Sequence, residues 1–418
     1  MEPTPSEKTA ELESVDTARS EVERQLAVFK RGTVDLIEEK QLRGMIAKSL
    51  ETGIPLRIKF GMDPSSADLH IGHAVQLRKL RDLQDLGHQI VLIVGDATAM
   101  VGDPSGRNKL RPVLTRADVD ENLKTYTAQA ARVLDLGKTE VRQNAEWFDE
   151  MNFEELLKLT TRMTVAQMIE RDTFQTRMET GEPIGINEFL YPLMQGWDSV
   201  IVKADLELGG TDQLFNLLVG RRLQEQEGQR PQIVMTQPLI NGLDGRKMSK
   251  SYGNAVGLTA PAKEMTFKIM QVDDDVMPTW FLHLTRLSQE EIDAALAGHP
   301  REAKARLAAE VTTFYHGAEA AQEAAEMFNR EVRDKVLPDE IPEVSWNAAW
   351  GAELPLPNLL KEAGLCQSTS EARRAIQQGG VRLDGEVAGD VGHKLSAPTA
   401  EMLIQVGKKR VKRLLPAD

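Results

Sequence analysis

Between Leu56 and Val94 the chain reads strand, loop, helix, strand, and this order restricts the fold more than any other feature of the sequence. Leu56 to Met62 (LRIKFGM) is a short strand pattern, broken by Gly61 and by the turn Asp63-Pro64-Ser65. Leu77, Leu80, Leu83 and Leu86 then form one stripe of an amphipathic helix that Gly87 ends. Gln89 to Val94 (QIVLIV) is almost wholly apolar, as a strand covered on both faces of a parallel sheet must be. Two such strands joined by a helix make a nucleotide-binding βαβ unit. The pattern returns with a strand over Asp198–Leu206, a helix over Gln213–Gln226 and a strand over Gln232–Ile240. The expected fold is therefore α/β, with a Rossmann-like parallel-sheet catalytic domain over 31–257 and a mostly helical insertion near 107–197.

Beyond Leu258 the runs are Ala-rich and amphipathic, which predicts a helical domain over 258–336. Four prolines without a clear period between Leu337 and Pro357 read as a linker, placed at 337–353. A small α+β domain over 354–418 follows. It has short helices at Leu359–Gly364 and Ser370–Gln378, and a hairpin Val381–Val387 turning at Asp384-Gly385. The first 24 residues carry seven acidic and three basic side chains and no apolar stretch, so residues 1–30 are expected to form an acidic tail or a frayed helix rather than a targeting peptide.

Charge is unevenly distributed. The net charge is −13, yet Leu354–Asp418 holds ten basic and seven acidic side chains. A basic end on an acidic body can bind RNA locally while the body repels other polyanions, although a solvated tail accounts equally for charge alone. Cys366 is the only cysteine, which excludes an internal disulfide and a thiolate metal cluster and fits a reducing cytoplasm. No run of eighteen apolar residues is present.

Two short segments carry chemistry. His70-Ile71-Gly72-His73 follows a strand and opens a helix, so two imidazoles share a face beside an N-terminus that attracts phosphate. Gly72 lets a flat base or ribose lie against the backbone. A zinc pair is the alternative, but it lacks a third ligand nearby. Lys247-Met248-Ser249-Lys250-Ser251 sits in a Gly- and Asp-containing loop after the strand that ends near Ile240. Two ammonium groups on a mobile loop suit a pyrophosphate leaving group, while a solvated basic turn is the bland alternative. Tyr191, Gln195 and Asp198, spaced i, i+4 and i+7, line one helix face that can orient a phenol hydroxyl, or else form a solvated polar side.

The two segments in this order resemble the pair that defines class I aminoacyl-tRNA synthetases. From about Leu56 to the C-terminus the chain resembles the tyrosyl-tRNA synthetase family. The most specific runs are Gly102-Asp103-Pro104-Ser105-Gly106, Tyr191-x-x-x-Gln195-x-x-Asp198 and Gly209-Gly210-Thr211-Asp212-Gln213. The resemblance implies that Asp198 takes the substrate hydroxyl, that Asp103, Tyr191 and Gln195 hold the ammonium group, and that Gln213 lies near the carboxylate. It places Lys59 and Gly61 at the tyrosine site. Asp63, His70, Gly72, His73, Gly210, Asp212, Met248 and Lys250 fall on the ATP side. It gives His70, His73, Lys247, Lys250, Arg107 and Arg111 catalytic roles, the two arginines on a basic loop reaching the pyrophosphate. Lys59 departs from the family's common tyrosine, and Trp197 from another. Lys59 can donate to the phenol oxygen, pair with Asp198, or point away.

The C-terminal domain resembles an RNA-binding module shared with a small-subunit ribosomal protein, through Ser370–Ile376 and Gly379–Gly385. The resemblance turns Arg373, Arg374, Arg382, Lys408 and Lys409 toward phosphates, with Arg410, Lys412 and Arg413 adding to the patch. It implies a homodimer, ATP as substrate with Mg2+ carried on it, tyrosine and its tRNA as partners, and no protein-bound metal. The rival readings are a tryptophanyl-tRNA synthetase, a small nucleotidylyltransferase, and a non-catalytic RNA-binding protein on a synthetase scaffold.

Overall fold

The apolar run Gln89–Val94 lies inside a six-stranded sheet. The computed structural model describes residues 5–64, 69–105, 115–249, 252–333, 341–407 and 410–416. The chain divides into two compact units, Met1–Gln322 and Glu323–Asp418. In the first unit the strands are β1 (Leu36–Ile37), β2 (Arg57–Met62), β3 (Gln89–Val94), β4 (Thr139–Gln143), β5 (Leu206–Gly210) and β6 (Ile233–Gln237), in the order β1-β6-β5-β2-β3-β4. All neighbours from β6 to β4 are parallel, and only β1 runs antiparallel at the edge. The order reverses between β2 and β5, and the crevice beyond the carboxyl ends of those strands is where such sheets bind ligands.

Burial explains the register. β5 and β6 are buried at every residue, whereas β4 is half exposed. The helix Ile71–Asp85 buries Leu77, Leu80 and Leu83 as the leucine stripe requires, and Gly87 adopts a positive φ of 93° after it. Each fully buried side chain of this kind contributes about 1.5–3 kcal/mol.

Four boundaries differ from the sequence reading. Asp198–Val202 is helical, the end of the helix Leu190–Val202, and the strand starts only at Leu206. The insertion at 107–197 is mostly helical over its described residues but also supplies β4 to the sheet. Residues 5–30 form one helix, and its Val22, Leu26 and Phe29 enter the main core, so this segment is not a free tail. The helices after Leu258 share that core through Trp280, Phe281 and Leu307, which pack in the same cluster as Leu77 and Leu80.

The second unit has its own core around Trp346, Leu356, Leu360, Ile376 and Ile404. Its strands are β7 (Glu343–Ser345), β8 (Glu353–Pro355), β9 (Val381–Leu383), β10 (Glu386–Val387), β11 (Lys394–Ser396), β12 (Met402–Val406) and β13 (Arg410–Leu415). They form a sheet in the order β10-β9-β12-β13-β7 and a pair β11-β8. Asp384 and Gly385 both have positive φ (47° and 88°), which a two-residue hairpin turn between β9 and β10 demands. The stretch 337–353, read as a linker, is structural over its described second half: β7 pairs with β13 and Trp346 is buried.

Candidate active site

A cleft opens at the carboxyl ends of β2, β3 and β5, between the N-terminus of the Ile71–Asp85 helix and the loop that follows β6. Fourteen residues expected at the site line it: Gly61, Asp63, His70, Gly72, His73 and Asp103, then Tyr191, Gln195, Asp198, Gly210, Asp212, Gln213, Lys247 and Met248. Arg107, Arg111 and Lys250 lie outside the described residues.

At the nucleotide end, the rings of His70 and His73 stack with centroids 3.8 Å apart and planes inclined by 19°. Nδ1 of His73 accepts the main-chain N–H of His70 at 3.2 Å, so the second histidine closes the first turn of the helix. A Cβ on Gly72 would stand 2.9 Å from Nδ1 of His70 and 3.1 Å from Sδ of Met248, so a side chain here would push the His70 ring and the Met248 thioether from their places. The lysine loop is held by Asn254. Its amide donates to Oδ1 of Asp244 at 2.7 Å and to the carbonyl of Lys247 at 3.1 Å, and its oxygen accepts from the N–H of Ser249 at 2.8 Å. Asp244, paired with Asn254 and Arg246, has its carboxyl lowered to about 2.

The other end is a polar chamber with buried walls. Asp198 is 3% exposed, and its Oδ1 accepts the indole N–H of Trp147 at 3.0 Å while its Oδ2 faces the Asn144 amide at 3.4 Å. Burial raises its carboxyl to about 7, against the pull of Lys59, Trp147 and Asn144. The Tyr191 hydroxyl donates to Asp63 at 2.8 Å, and Thr98 donates to the other Asp63 oxygen at 2.8 Å. Burial and the charge of Asp63 hold the Tyr191 phenol well above its ordinary value, so it serves as a donor. A Cβ on Gly95 would lie 2.1 Å from Asp63, so only glycine admits this carboxylate. Asp103 accepts from Ser105 and, at 2.8 Å, from Gln213. Asp212 is raised by burial and by Asp103.

Lys59 is the correction at this site. It neither lines the cleft nor pairs with Asp198, because its ammonium donates to Glu207 at 2.9 Å, to the Gln195 carbonyl at 2.7 Å and to Ser199 at 2.8 Å. Sequence reasoning missed Asn144, Trp147, Thr98, Arg171 and Asn216. Asn144 and Trp147 follow the end of β4, and reading Thr139–Gln143 as a sheet strand would have found them. Among the described residues, no group of three or more His, Cys, Asp or Glu is arranged to hold a metal ion.

In the second unit, Arg373, Arg374 and Arg382 are exposed. Arg382 donates to the carbonyl of Gly385 at 2.9 Å. Lys408 and Lys409 lie outside the described residues. Arg410 pairs with Glu371 at 2.7 Å and Arg413 with Glu401 at 3.4 Å, so these two are partly neutralised within the patch.

The family described as tRNA synthetases class I (W and Y) matches residues 51–333, and the S4 domain matches residues 354–401. Fold, paired segments and family match agree on a class I tRNA synthetase with an S4 domain. A tyrosine–tRNA ligase of Ralstonia nicotianae is 48% identical over 93% of this chain and 100% of its own length. The one from Thermotoga maritima is 48% identical, over 94% and 97%. The chain belongs to the tyrosine–tRNA ligase family. In fold it is similar to a C-terminally truncated mitochondrial tyrosyl-tRNA synthetase of Aspergillus nidulans, with a TM-score of 0.62 at 22% identity over 75% of this chain and 97% of that one. The tyrosyl-tRNA synthetase of Archaeoglobus fulgidus, solved with L-tyrosine, aligns at 0.57 and 20% identity over 73% and 99%. Among the described residues no helix is long and apolar enough to cross a membrane.

Proposed function

We propose that this chain activates L-tyrosine with ATP and then transfers it to the terminal adenosine of its tRNA. A carboxylate oxygen of tyrosine attacks the α-phosphorus of ATP as the bond to pyrophosphate breaks, giving tyrosyl-adenylate. The terminal hydroxyl of tRNA then attacks the tyrosyl carbonyl, and AMP leaves. The observation that carries this reading is Asp198: a buried carboxylate, oriented by Trp147 and Asn144, facing the cleft. Phenylalanine would displace water from this carboxylate and offer no hydroxyl in return, which costs far more than a lost methylene contact. The tyrosine–tRNA ligases among its relatives support the same reading over tryptophan.

No protein nucleophile takes part, so catalysis is positioning and charge stabilisation. His70 and His73 stand at the helix N-terminus for the phosphates, with Asp63, Gly72, Gly210, Asp212 and Met248 along the nucleotide. Lys247, Lys250, Arg107 and Arg111 balance charge on the departing pyrophosphate. Asp103, Tyr191, Gln195 and Gln213 hold the ammonium and carboxylate ends of tyrosine. Magnesium carried on ATP would supply charge neutralisation at the phosphates, with no protein cage required of this chain. Arg373, Arg374, Arg382, Lys408 and Lys409 meet tRNA phosphates. The working form is a cytoplasmic homodimer. The test of the charge role is Lys250→Ala: adenylate formation slows by orders of magnitude while tyrosine affinity holds. Equal loss of both would overturn that role.

A further inference from the structure

Lys59 and Glu207 are register partners on the adjacent strands β2 and β5, and both side chains are fully buried beneath the Leu190–Val202 helix. The three ammonium contacts of Lys59 go to Glu207, Ser199 and the carbonyl of Gln195. Glu207 in turn accepts from Gln195 Nε2 at 3.1 Å, Ser199 Oγ at 3.0 Å and Gln232 Nε2 at 2.5 Å. An apolar pair of similar volume is commonly at least as stable in a core, so the fold by itself does not call for these charges.

Their effect runs upward through a directional chain. Glu207 can only accept, which turns the nitrogen of the Gln195 amide down and its oxygen toward Asn216. Asn216 Nδ2 donates to that oxygen and to Gln213 Oε1, both at 2.9 Å. Its own oxygen accepts from Arg171 at 3.0 Å. Gln213 is thereby left with its nitrogen on Asp103, 2.8 Å away. Each amide has one orientation because an ion stands at each end of the chain.

We propose that the buried Lys59–Glu207 pair is a positioning device for amino-acid selection, fixing Gln195 and, through Asn216 and Gln213, the face that meets the ammonium group. This rests on the tyrosine reading above. The test compares ATP–pyrophosphate exchange and thermal melting in the full-length protein, Lys59→Met, Glu207→Gln and the double variant. Each single variant raises the KM for tyrosine about tenfold, the factor carried by one hydrogen bond to a charged group, and leaves the KM for ATP within about twofold. The double variant, with no unpaired ion, regains the melting temperature to within about 3 °C but keeps the raised tyrosine KM. A double variant that recovers the tyrosine KM, or one that does not fold, would show that the pair serves the fold alone and overturn the proposal. Single variants that melt early with an unchanged tyrosine KM would overturn it too. If the unaltered protein shows no tyrosine-dependent exchange, it is the functional reading that fails, and this registers before any variant is compared.

Discussion

Trp147 donates its indole N–H to Asp198 across 3.0 Å, joining the short helix Ala145–Phe148, which follows the edge strand β4, to the Leu190–Val202 helix. The bond fixes one carboxylate oxygen, the Asn144 amide faces the other at 3.4 Å, and the group so held lines the cleft. Trp147→Phe removes the donor with little change in ring packing. Tyrosine KM should rise about tenfold, since a hydrogen bond to a charged group contributes about 1.5–3 kcal/mol. Steady-state exchange with varied tyrosine and saturating ATP checks this, and an unchanged KM would refute it.

The carboxyl of Asp198 stands at about 7 in the folded chain, against an ordinary value of 3.8, chiefly through burial. The folded state therefore holds a proton that the unfolded chain releases. The associated stability is fully present below about pH 4 and is lost as the pH rises through about 7. The melting temperature of the unliganded protein, relative to that of Asp198→Asn, should fall across this window. A phenol donor favours the ionised carboxylate, so tyrosine KM should fall as pH rises through about 7, and Asp198→Asn should lack that dependence.

Asn254 ties the lysine loop together from both of its amide atoms. Asn254→Ala should lower the rate of adenylate formation about ten- to a hundredfold by misplacing Lys247, with tyrosine affinity unchanged. Pre-steady-state formation of the adenylate beside equilibrium tyrosine binding separates the two. A parallel loss in both would point to general unfolding.

The pairing of β7 with β13 and the burial of Trp346 set where the chain can be cut. Removing 341–418 should spare tyrosine-dependent exchange and cripple tRNA charging. A cut at 354 leaves Trp346 without its core and should yield a less soluble protein. Exchange lost together with charging would contradict independent units.

Much of this was legible in the sequence where local pattern and tertiary burial coincide. Gln89–Val94 is apolar because both its faces are covered, and its strand bounds match. The leucine stripe of the Ile71–Asp85 helix reads directly as its buried face. β4 was missed because an edge strand such as Thr139–Gln143 is half exposed and carries charge, with Glu140 pairing to both Arg142 and Arg57. Trp147 and Asn144 went unnoticed with it. Lys59 was misplaced for a different reason. Its partner Glu207 lies 148 residues away in sequence, and only the β2–β5 pairing brings the two together. The Tyr191–Gln195–Asp198 face was legible because its spacing is local to one helix.

The most direct measurement of the central claim is ATP–pyrophosphate exchange with each of the twenty amino acids in turn. Tyrosine alone should drive exchange, and phenylalanine should fail because it offers Asp198 no phenol hydroxyl. Exchange driven by tryptophan, or by no amino acid, would contradict the account.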